Sequence, residues 1–162
     1  MKWTYLCLCM CLFMGEIECG GQIWLKLVSF QNRRSLDAAG FLCDHHWGVK
    51  TSDCDHKFII CVDNINGYES TNVCSYGRWS TDIIRNADYI TFGKDIRLYS
   101  NPKTFSFHKW TGSCKLKIDV YDHDTLEDDY VDSMTGHYIM ERPYYNETNA
   151  KPKTLKLSNR VR

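Results

Sequence analysis

The segment FSFHKWTGSCKLKIDVYDHDTLEDDY, residues 105–130, combines one strand pattern with one group of carboxylates. Residues 115–121 alternate in polarity, so three apolar side chains lie on one face of a strand and three charged ones on the other: Leu116, Ile118 and Val120 against Lys115, Lys117 and Asp119. Four aspartates follow: Asp122, Asp124, Asp128 and Asp129. Such carboxylates repel one another unless a cation lies between them or water solvates the loop. The segment therefore predicts a β-strand that leads into an acidic loop.

Similar runs recur along the chain, and helical periodicity is nearly absent. Turn residues such as Gly93 and Asn101-Pro102 separate these runs. The predicted strands are residues 22–30, 57–62, 89–92, 96–99, 104–107, 115–121, 137–140 and 154–157. Eight short strands at this spacing predict an all-β fold, an antiparallel β-sandwich formed as a single domain by residues 21–162.

The chain has twenty basic and twenty acidic residues and no basic patch, so nucleic acid is not an expected partner. At the amino terminus, Lys2 precedes an uncharged apolar run over residues 3–14, which is shorter than the roughly 20 residues that span a bilayer. We expect residues 1–20 to be a signal peptide; an uncleaved anchor and a misassigned start codon are the alternatives. A secreted protein is also consistent with the glycosylation sequon at Asn146.

Five cysteines remain after the predicted signal peptide and its cleavage region. Cys43, Cys54, Cys61 and Cys74 are expected to pair in an oxidising compartment, and four cysteines allow three connectivities. The pairs Cys43–Cys54 and Cys61–Cys74 are favoured because each closes a short loop, which contributes roughly 3 kcal/mol in the chain-entropy model. Cys114 then stays as a buried thiol or pairs with a retained cysteine near the cleavage site.

Aspartates in three loops form a candidate calcium site. Asp37 follows the first strand, Asp55 precedes the strand at 57–62, and Asp122, Asp124 and Asp129 follow the strand at 115–121. Calcium takes about six to eight oxygen ligands from carboxylates, carbonyls and water. An Asp-x-Asp pair on an extended backbone directs both side chains the same way. The alternative interpretation is a solvated acidic loop without a metal.

This layout resembles the C2 domain, although the last aspartate interval is one residue shorter than the common form when Asp129 is used. A larger set of residues carries a second resemblance. It comprises residues 23–32 (IWLKLVSFQN), 57–61 (KFIIC) and 74–77 (CSYG), Cys43, Cys54, and Phe105-Ser106-Phe107 with Trp110, Gly112, Ser113 and Leu116. In order and spacing, these residues resemble the amino-terminal domain of the Notch ligands, the Delta/Serrate/Jagged family.

The resemblance implies a C2-type sandwich with the disulfide pairing given above, and Notch receptor EGF repeats as partner. It also implies a secreted or cell-surface location. A complete ligand of this family continues into a DSL module, EGF repeats and a transmembrane helix, and no cysteine follows residue 114 here. We therefore expect either a free-standing module that modulates the receptor or the amino-terminal piece of an anchored ligand. Autonomous activation is not expected.

A C2-type fold also raises the prospect of calcium-assisted binding to phospholipid head groups. Trp47 and Trp79 lie among polar or turn residues and are candidate contacts to a membrane or receptor, whereas Trp24 and Trp110 are expected in the core. The alternative function is a generic secreted C2-type module that binds lipid or glycan and has no Notch role.

Two other chemistries fit the sequence less well. A zinc site could use Cys43, His45, His46, Cys54 and His56, but a secreted context favours disulfides. An enzyme could use a histidine with Cys114 or a carboxylate. The sequence, however, shows no nucleophile elbow, metalloprotease helix or phosphate-binding loop. No enzyme activity is therefore expected.

Overall fold

The computed structural model describes residues 20–46, 49–50, 52–93, 101–124, 127–139, 155 and 158–159. This part of the chain is all-β, and eight of its strands have three or more residues, which confirms the predicted fold class. The strands are β1 (Gly21–Leu25), β2 (Ser29–Gln31), β3 (His45–His46), β4 (Val49–Lys50), β5 (His56–Asp63), β6 (Gly77–Ser80), β7 (Tyr89–Thr91), β8 (Lys103–Phe107), β9 (Ser113–Asp122), β10 (Asp129–Ile139) and β11 (Ser158–Asn159). Within the described residues, no helix is long and apolar enough to cross a membrane.

The main layer is a five-stranded antiparallel sheet in the order β11-β10-β9-β5-β6. The ladders β1–β8 and β2–β7 supply side chains that pack on its inner face. Phe58 of β5 lies at the centre of the core, because its ring meets Phe30 and Phe92 edge-on at centroid distances of 5.0 and 5.7 Å. The apolar face of β9 is buried in the same core, as its alternation predicts.

Several strand boundaries differ from the prediction. The expected strand 22–30 is interrupted because the Asn101 side chain acts there in place of a neighbouring strand: Leu27 N donates to Asn101 Oδ1 (2.9 Å), and Asn101 Nδ2 donates to Leu27 O (3.0 Å). The strand predicted at 137–140 belongs to the much longer β10, and β6 was not predicted. The signal peptide at 1–20 and the strands at 96–99 and 154–157 lie outside the described residues, apart from Gly20 and Leu155.

Both favoured disulfides are present. Cys43 is bonded to Cys54 and Cys61 to Cys74, with Cα–Cα distances of 5.2 and 5.4 Å. Cys114 is free and buried. Because two of the proposed thiolate ligands are joined in the first disulfide, the zinc site considered from the sequence does not exist in this oxidised form.

The charged face of β9 is covered by the connection between β5 and β6, residues 64–76, and is not exposed to water. Lys117 is completely buried beneath this connection. Its ammonium group donates to Asp63 Oδ2 (2.9 Å) and to three backbone carbonyls, those of Tyr68, Ser70 and Val73. The connection is therefore folded around a buried, paired charge and anchored by the Cys61–Cys74 disulfide.

The connection also supplies hydrogen-bond partners to the neighbouring charged residues of this face. Lys115 Nζ donates to Gly67 O (2.9 Å) and to Glu69 Oε1 (2.7 Å), whose side chain is largely exposed. Asp119 accepts from Thr71 Oγ1 (2.6 Å) and from a serine of β10. Burial raises the pKa of Asp63, but hydrogen bonds from Ser75, Lys117 and Asn64 outweigh that effect and lower it to about 2. The face predicted as charged is thus a buried polar layer.

Candidate functional site

The acidic site forms where the beginning of β5 lies beside the end of β9. His56 is paired with Asp122 in one ladder, and Asp129 is paired with Asp122 in the next. The register therefore brings Asp55, Asp122 and Asp129 to the same edge of the sheet. Asp55 N donates to Asp122 Oδ1 (2.5 Å), so backbone and carboxylate are joined across this edge.

Asp44 reaches this edge from a separate loop. Its backbone is in the left-handed region (φ 37°). Asp44 directly follows Cys43, and the disulfide partner of Cys43, Cys54, directly precedes Asp55. Carboxylate oxygens of Asp44, Asp122 and Asp124 lie within 4.8 Å of one another. The disulfide therefore contributes to the site by holding the Asp44 loop against the beginning of β5.

Asp122 is the buried centre of the group. Its side chain is inaccessible to water, and its second carboxylate oxygen, Oδ2, has no hydrogen-bond partner among the described residues. Burial raises the pKa of Asp122 to about 6; the amide of Asp55 lowers it, while Asp44, Asp124 and Asp55 raise it further. The pKa of Asp124 is also raised, first by burial and then by Asp44, Asp129 and Asp55. A bound cation would favour the ionised forms of both carboxylates.

Asp128 lies beside this group but is paired with cationic or ionisable side chains. Its Oδ1 is 2.5 Å from His123 Nδ1, and its Oδ2 is 3.7 Å from Lys57 Nζ. His123 N donates to Asp55 O (2.8 Å) and so joins the loop after β9 to the site. Asp128 therefore closes one side of the cluster, and its carboxylate is less available to a metal.

Of the five predicted aspartates, Asp122 and Asp124 have carboxylate oxygens within 4.8 Å of each other. Asp55 and Asp129 lie at the same edge of the sheet, and Asp55 Oδ1 accepts from Asn86 N (2.8 Å). Asp37 is not a member of the group of Asp44, Asp122 and Asp124, and its Oδ1 accepts from Phe41 N (2.7 Å) within its own loop. Asp44 replaces it in the group. The sequence signal for Asp44 was its position next to Cys43, since the favoured disulfide brings that residue close to Asp55.

The tryptophan assignments need correction. Trp79 is not on an exposed loop: it lies in β6 opposite Ile60, is 8% exposed and belongs to the core. Trp47 lies outside the described residues, as does the sequon at Asn146. Trp24, expected in the core, is 41% exposed, whereas Trp110 packs on Tyr76 as expected, with ring centroids 5.2 Å apart.

The loop that leads to Asp44 carries an exposed aromatic side chain that was not predicted. Phe41 is 66% exposed and lies three residues before Asp44, in the loop whose backbone folds back through the Leu36–Leu42 bridge.

Comparison with known proteins gives a family match and similar solved structures. The family model described as the N terminus of Notch ligand C2-like domain matches residues 20–160. The structure is similar to that of a C2 domain protein from Ramazzottius varieornatus, at 22% identity, with 88% of this chain and 81% of that chain covered and a TM-score of 0.62. It is also similar to the structure of Drosophila C2-DSL-EGF1, at 20% identity, with 75% of this chain covered and a TM-score of 0.56.

The aligned region spans 56% of the Drosophila chain, a little over half its length. At these identities the two structures show the fold alone. No curated protein matches the chain. The family match confirms the resemblance drawn from residues 23–32, the cysteines and the Phe105-Ser106-Phe107 run.

Proposed function

Since this chain belongs to the family of Notch-ligand N-terminal C2-like domains, we propose that it is an extracellular module that binds or modulates the Notch receptor in cell–cell signalling. The supporting observation is the family match, which extends over residues 20–160 and so includes all of the described residues. We propose the EGF repeats of the receptor as the contact. The role is binding, not catalysis, because the family is one of ligand domains.

The proposal is tested with the full secreted chain and an immobilised Notch EGF-repeat fragment. We expect saturable binding that is lost when both disulfides are reduced and alkylated, because they hold the loops in place. A saturable signal from the native chain and none from the alkylated chain would support the proposal. Absence of binding by the folded chain to any EGF-repeat fragment of the receptor would refute it and favour a generic C2-type module.

Calcium is proposed as a cofactor of the acidic site, and the residues present fit such an ion. The donors are carboxylates alone, which hard cations prefer, and the buried Oδ2 of Asp122 has no hydrogen-bond partner among the described residues. Asp44, Asp55, Asp122, Asp124 and Asp129 would hold the ion. When bound, calcium would supply positive charge that attracts anionic lipid phosphates.

We propose that the same end of the sandwich contacts phospholipid, with Phe41 as the apolar contact. Exposed aromatic side chains are stabilised at the head-group level of a bilayer, and calcium beside them offsets the carboxylate charge that would otherwise repel anionic lipids. The exposed Phe41 ring and the acidic group belong to neighbouring loops, so one surface could make both contacts.

Vesicle co-sedimentation tests this part separately from receptor binding. Binding to vesicles that contain phosphatidylserine is expected in calcium and is expected to be lost in a chelator or in the Asp122→Asn/Asp124→Asn variant. Phe41→Ser should weaken it about tenfold, whereas the matched control Tyr68→Ser, which removes a 75% exposed aromatic residue beyond the opposite end of β5, should not. Unchanged binding by the double aspartate variant would refute the calcium site and would leave the receptor proposal untouched.

A further inference from the structure

A second group of metal-ligand side chains surrounds the Cys43–Cys54 disulfide in the interior. Cys54, His56 and Asp88 each offer a ligand atom, and these atoms lie within 4.8 Å of one another. Cys43 is bonded to Cys54, with 5.2 Å between the Cα atoms. All four residues are buried. The group therefore contains two sulfurs, one imidazole and one carboxylate in a space closed to water.

His56 is the unexplained member of this group. Its ring is completely buried, and within the described part of the chain neither Nδ1 nor Nε2 has a hydrogen-bond partner. The nearest carboxylate oxygen, Asp88 Oδ1, is 3.7 Å from Nε2, which is too long for a hydrogen bond. Buried polar atoms without partners are rare in folded proteins and call for an explanation. An imidazole nitrogen held beside sulfur and carboxylate is a common metal ligand.

Hydrogen bonds from neighbouring groups fix the orientation of the Asp88 carboxylate. Its Oδ2 accepts a hydrogen bond from Ser35 Oγ, and Cys54 N donates to Oδ1 (3.3 Å). Asn32 Nδ2 donates to Cys54 Sγ (3.3 Å). Hydrogen bonds of this kind fix the direction of metal ligands and tune their basicity.

We propose that the reduced form of this chain binds one zinc ion through Cys43, Cys54, His56 and Asp88, and that zinc and the disulfide exclude each other. Two thiolates, an imidazole and a carboxylate form a tetrahedral set. Bonds of about 2.0–2.3 Å place neighbouring ligand atoms roughly 3.3–3.8 Å apart, so the ligand atoms of Cys54, His56 and Asp88, which lie within 4.8 Å of one another, need to move by about 1 Å. The sulfur of Cys43 joins them by moving away from Cys54 once the disulfide is cleaved. The proposed zinc site adjoins the acidic cluster, because an oxygen of Asp122 also lies within 4.8 Å of the sulfurs of Cys43 and Cys54.

The redox step balances with a phosphine or thiol as reductant. Two electrons from the reductant and two protons cleave the Cys43–Cys54 bond and give two thiols. Zinc then binds both sulfurs as thiolates and releases those two protons. Reoxidation by an added small-molecule disulfide passes two electrons to that disulfide, which leaves as two thiols after taking up two protons, re-forms the Cys43–Cys54 bond, removes two ligands and releases the zinc ion.

The first test is site-resolved protection of thiols in the full chain. The protein is reduced with a phosphine, freed of metal, and exposed briefly to an alkylating reagent with or without zinc; the modified cysteines are then identified by mass spectrometry. We expect zinc to slow alkylation of Cys43 and Cys54 at least tenfold and to leave Cys61 and Cys74 unchanged. No protection, or equal protection of both pairs, would overturn the proposal.

A second test uses cobalt as a spectroscopic substitute and compares matched variants. The reduced Cys61→Ser/Cys74→Ser variant keeps the proposed ligands and should show thiolate-to-cobalt charge-transfer bands that zinc abolishes. In the same background, His56→Gln should weaken zinc binding at least tenfold, measured by competition with a chromophoric chelator. His108→Gln, which changes an exposed histidine, should not. Equal affinities for these two variants would contradict the site.

Discussion

Replacing Asp122 with asparagine should stabilise the calcium-free protein. Burial and the neighbouring carboxylates raise the pKa of Asp122 from 3.8 to about 6, so ionising this group in the folded state at neutral pH costs roughly 3 kcal/mol. The substituted asparagine would carry no charge, and its side-chain oxygen would still accept from Asp55 N. The new amide NH₂ would need partners, which lowers the expected gain in unfolding free energy to about 1–3 kcal/mol.

The sign of the pH dependence follows from the same shift. Because the folded-state pKa is above the unfolded value, the folded state takes up a proton first as the pH falls, and the penalty disappears between about pH 6 and 4. The advantage of Asp122→Asn should therefore be largest above pH 7 and absent near pH 4. Calcium should act in the opposite way, stabilising wild type by roughly 2.7 kcal/mol at a hundred times its dissociation constant and leaving the variant unchanged.

The assay is urea unfolding followed by tryptophan fluorescence, in chelator and in calcium, from pH 4 to 7.5, with linear extrapolation of the unfolding free energy. Asp37→Asn is the control, because Asp37 is not among the proposed calcium ligands; it should keep the calcium response of wild type. The reasoning is wrong if Asp122→Asn is less stable than wild type in chelator at pH 7.5, or if the difference between the two proteins does not change with pH.

Three further outcomes test other parts of the structure. Lys117→Met should lower the unfolding free energy by about 3–5 kcal/mol, because it leaves a buried carboxylate and three carbonyls without their donor. In the same urea titration, Lys115→Met should lower it by about 1 kcal/mol, because the carboxylate partner of Lys115 is exposed. Burial raises the pKa of Cys114 from 9.0 to about 11, so the native thiol should react with iodoacetamide at least a hundredfold more slowly than in urea; similar rates would contradict its burial. Burial lowers the pKa of His56, an effect only partly offset by neighbouring carboxylates, so the unfolded state takes up the proton first and stability should fall below about pH 6.5. This loss is measured as the fall in the urea midpoint between pH 7 and 5.5. The Asp122→Asn background removes the titration of Asp122, and within it the fall should be smaller in the His56→Gln variant than in the protein that keeps His56.

Local patterns in the sequence were sufficient for the fold class and for much of the framework. Alternation in residues 115–121 correctly separated the apolar core face of β9 from its charged face. The short loops between Cys43 and Cys54 and between Cys61 and Cys74 were sufficient to favour the observed pairing. These features depend on backbone geometry and chain closure over a few residues, which the sequence specifies directly.

The members of the acidic site were only partly predictable. Asp122, Asp124 and Asp129 lie close together in sequence on one strand connection, so their proximity was expected. The sequence analysis proposed Asp37 and did not consider Asp44, whose position depends on a disulfide and on a loop closed by hydrogen bonds between Asp37 and Phe41. Only the tertiary structure showed that Asp44 reaches the carboxylate of Asp122.

Whether a polar face meets water was likewise decided by tertiary structure alone. The alternation identified Lys117 as a residue on the side of β9 away from the core, but the connection at 64–76 covers that side and, with Asp63, supplies it with four acceptors. In the same way, the sequences of β6 and β1 alone did not show that Trp79 is buried and that Trp24 is exposed. A strand's own residues determine which side chains share a face, whereas burial of that face depends on chain segments distant in sequence, whose placement no local periodicity encodes.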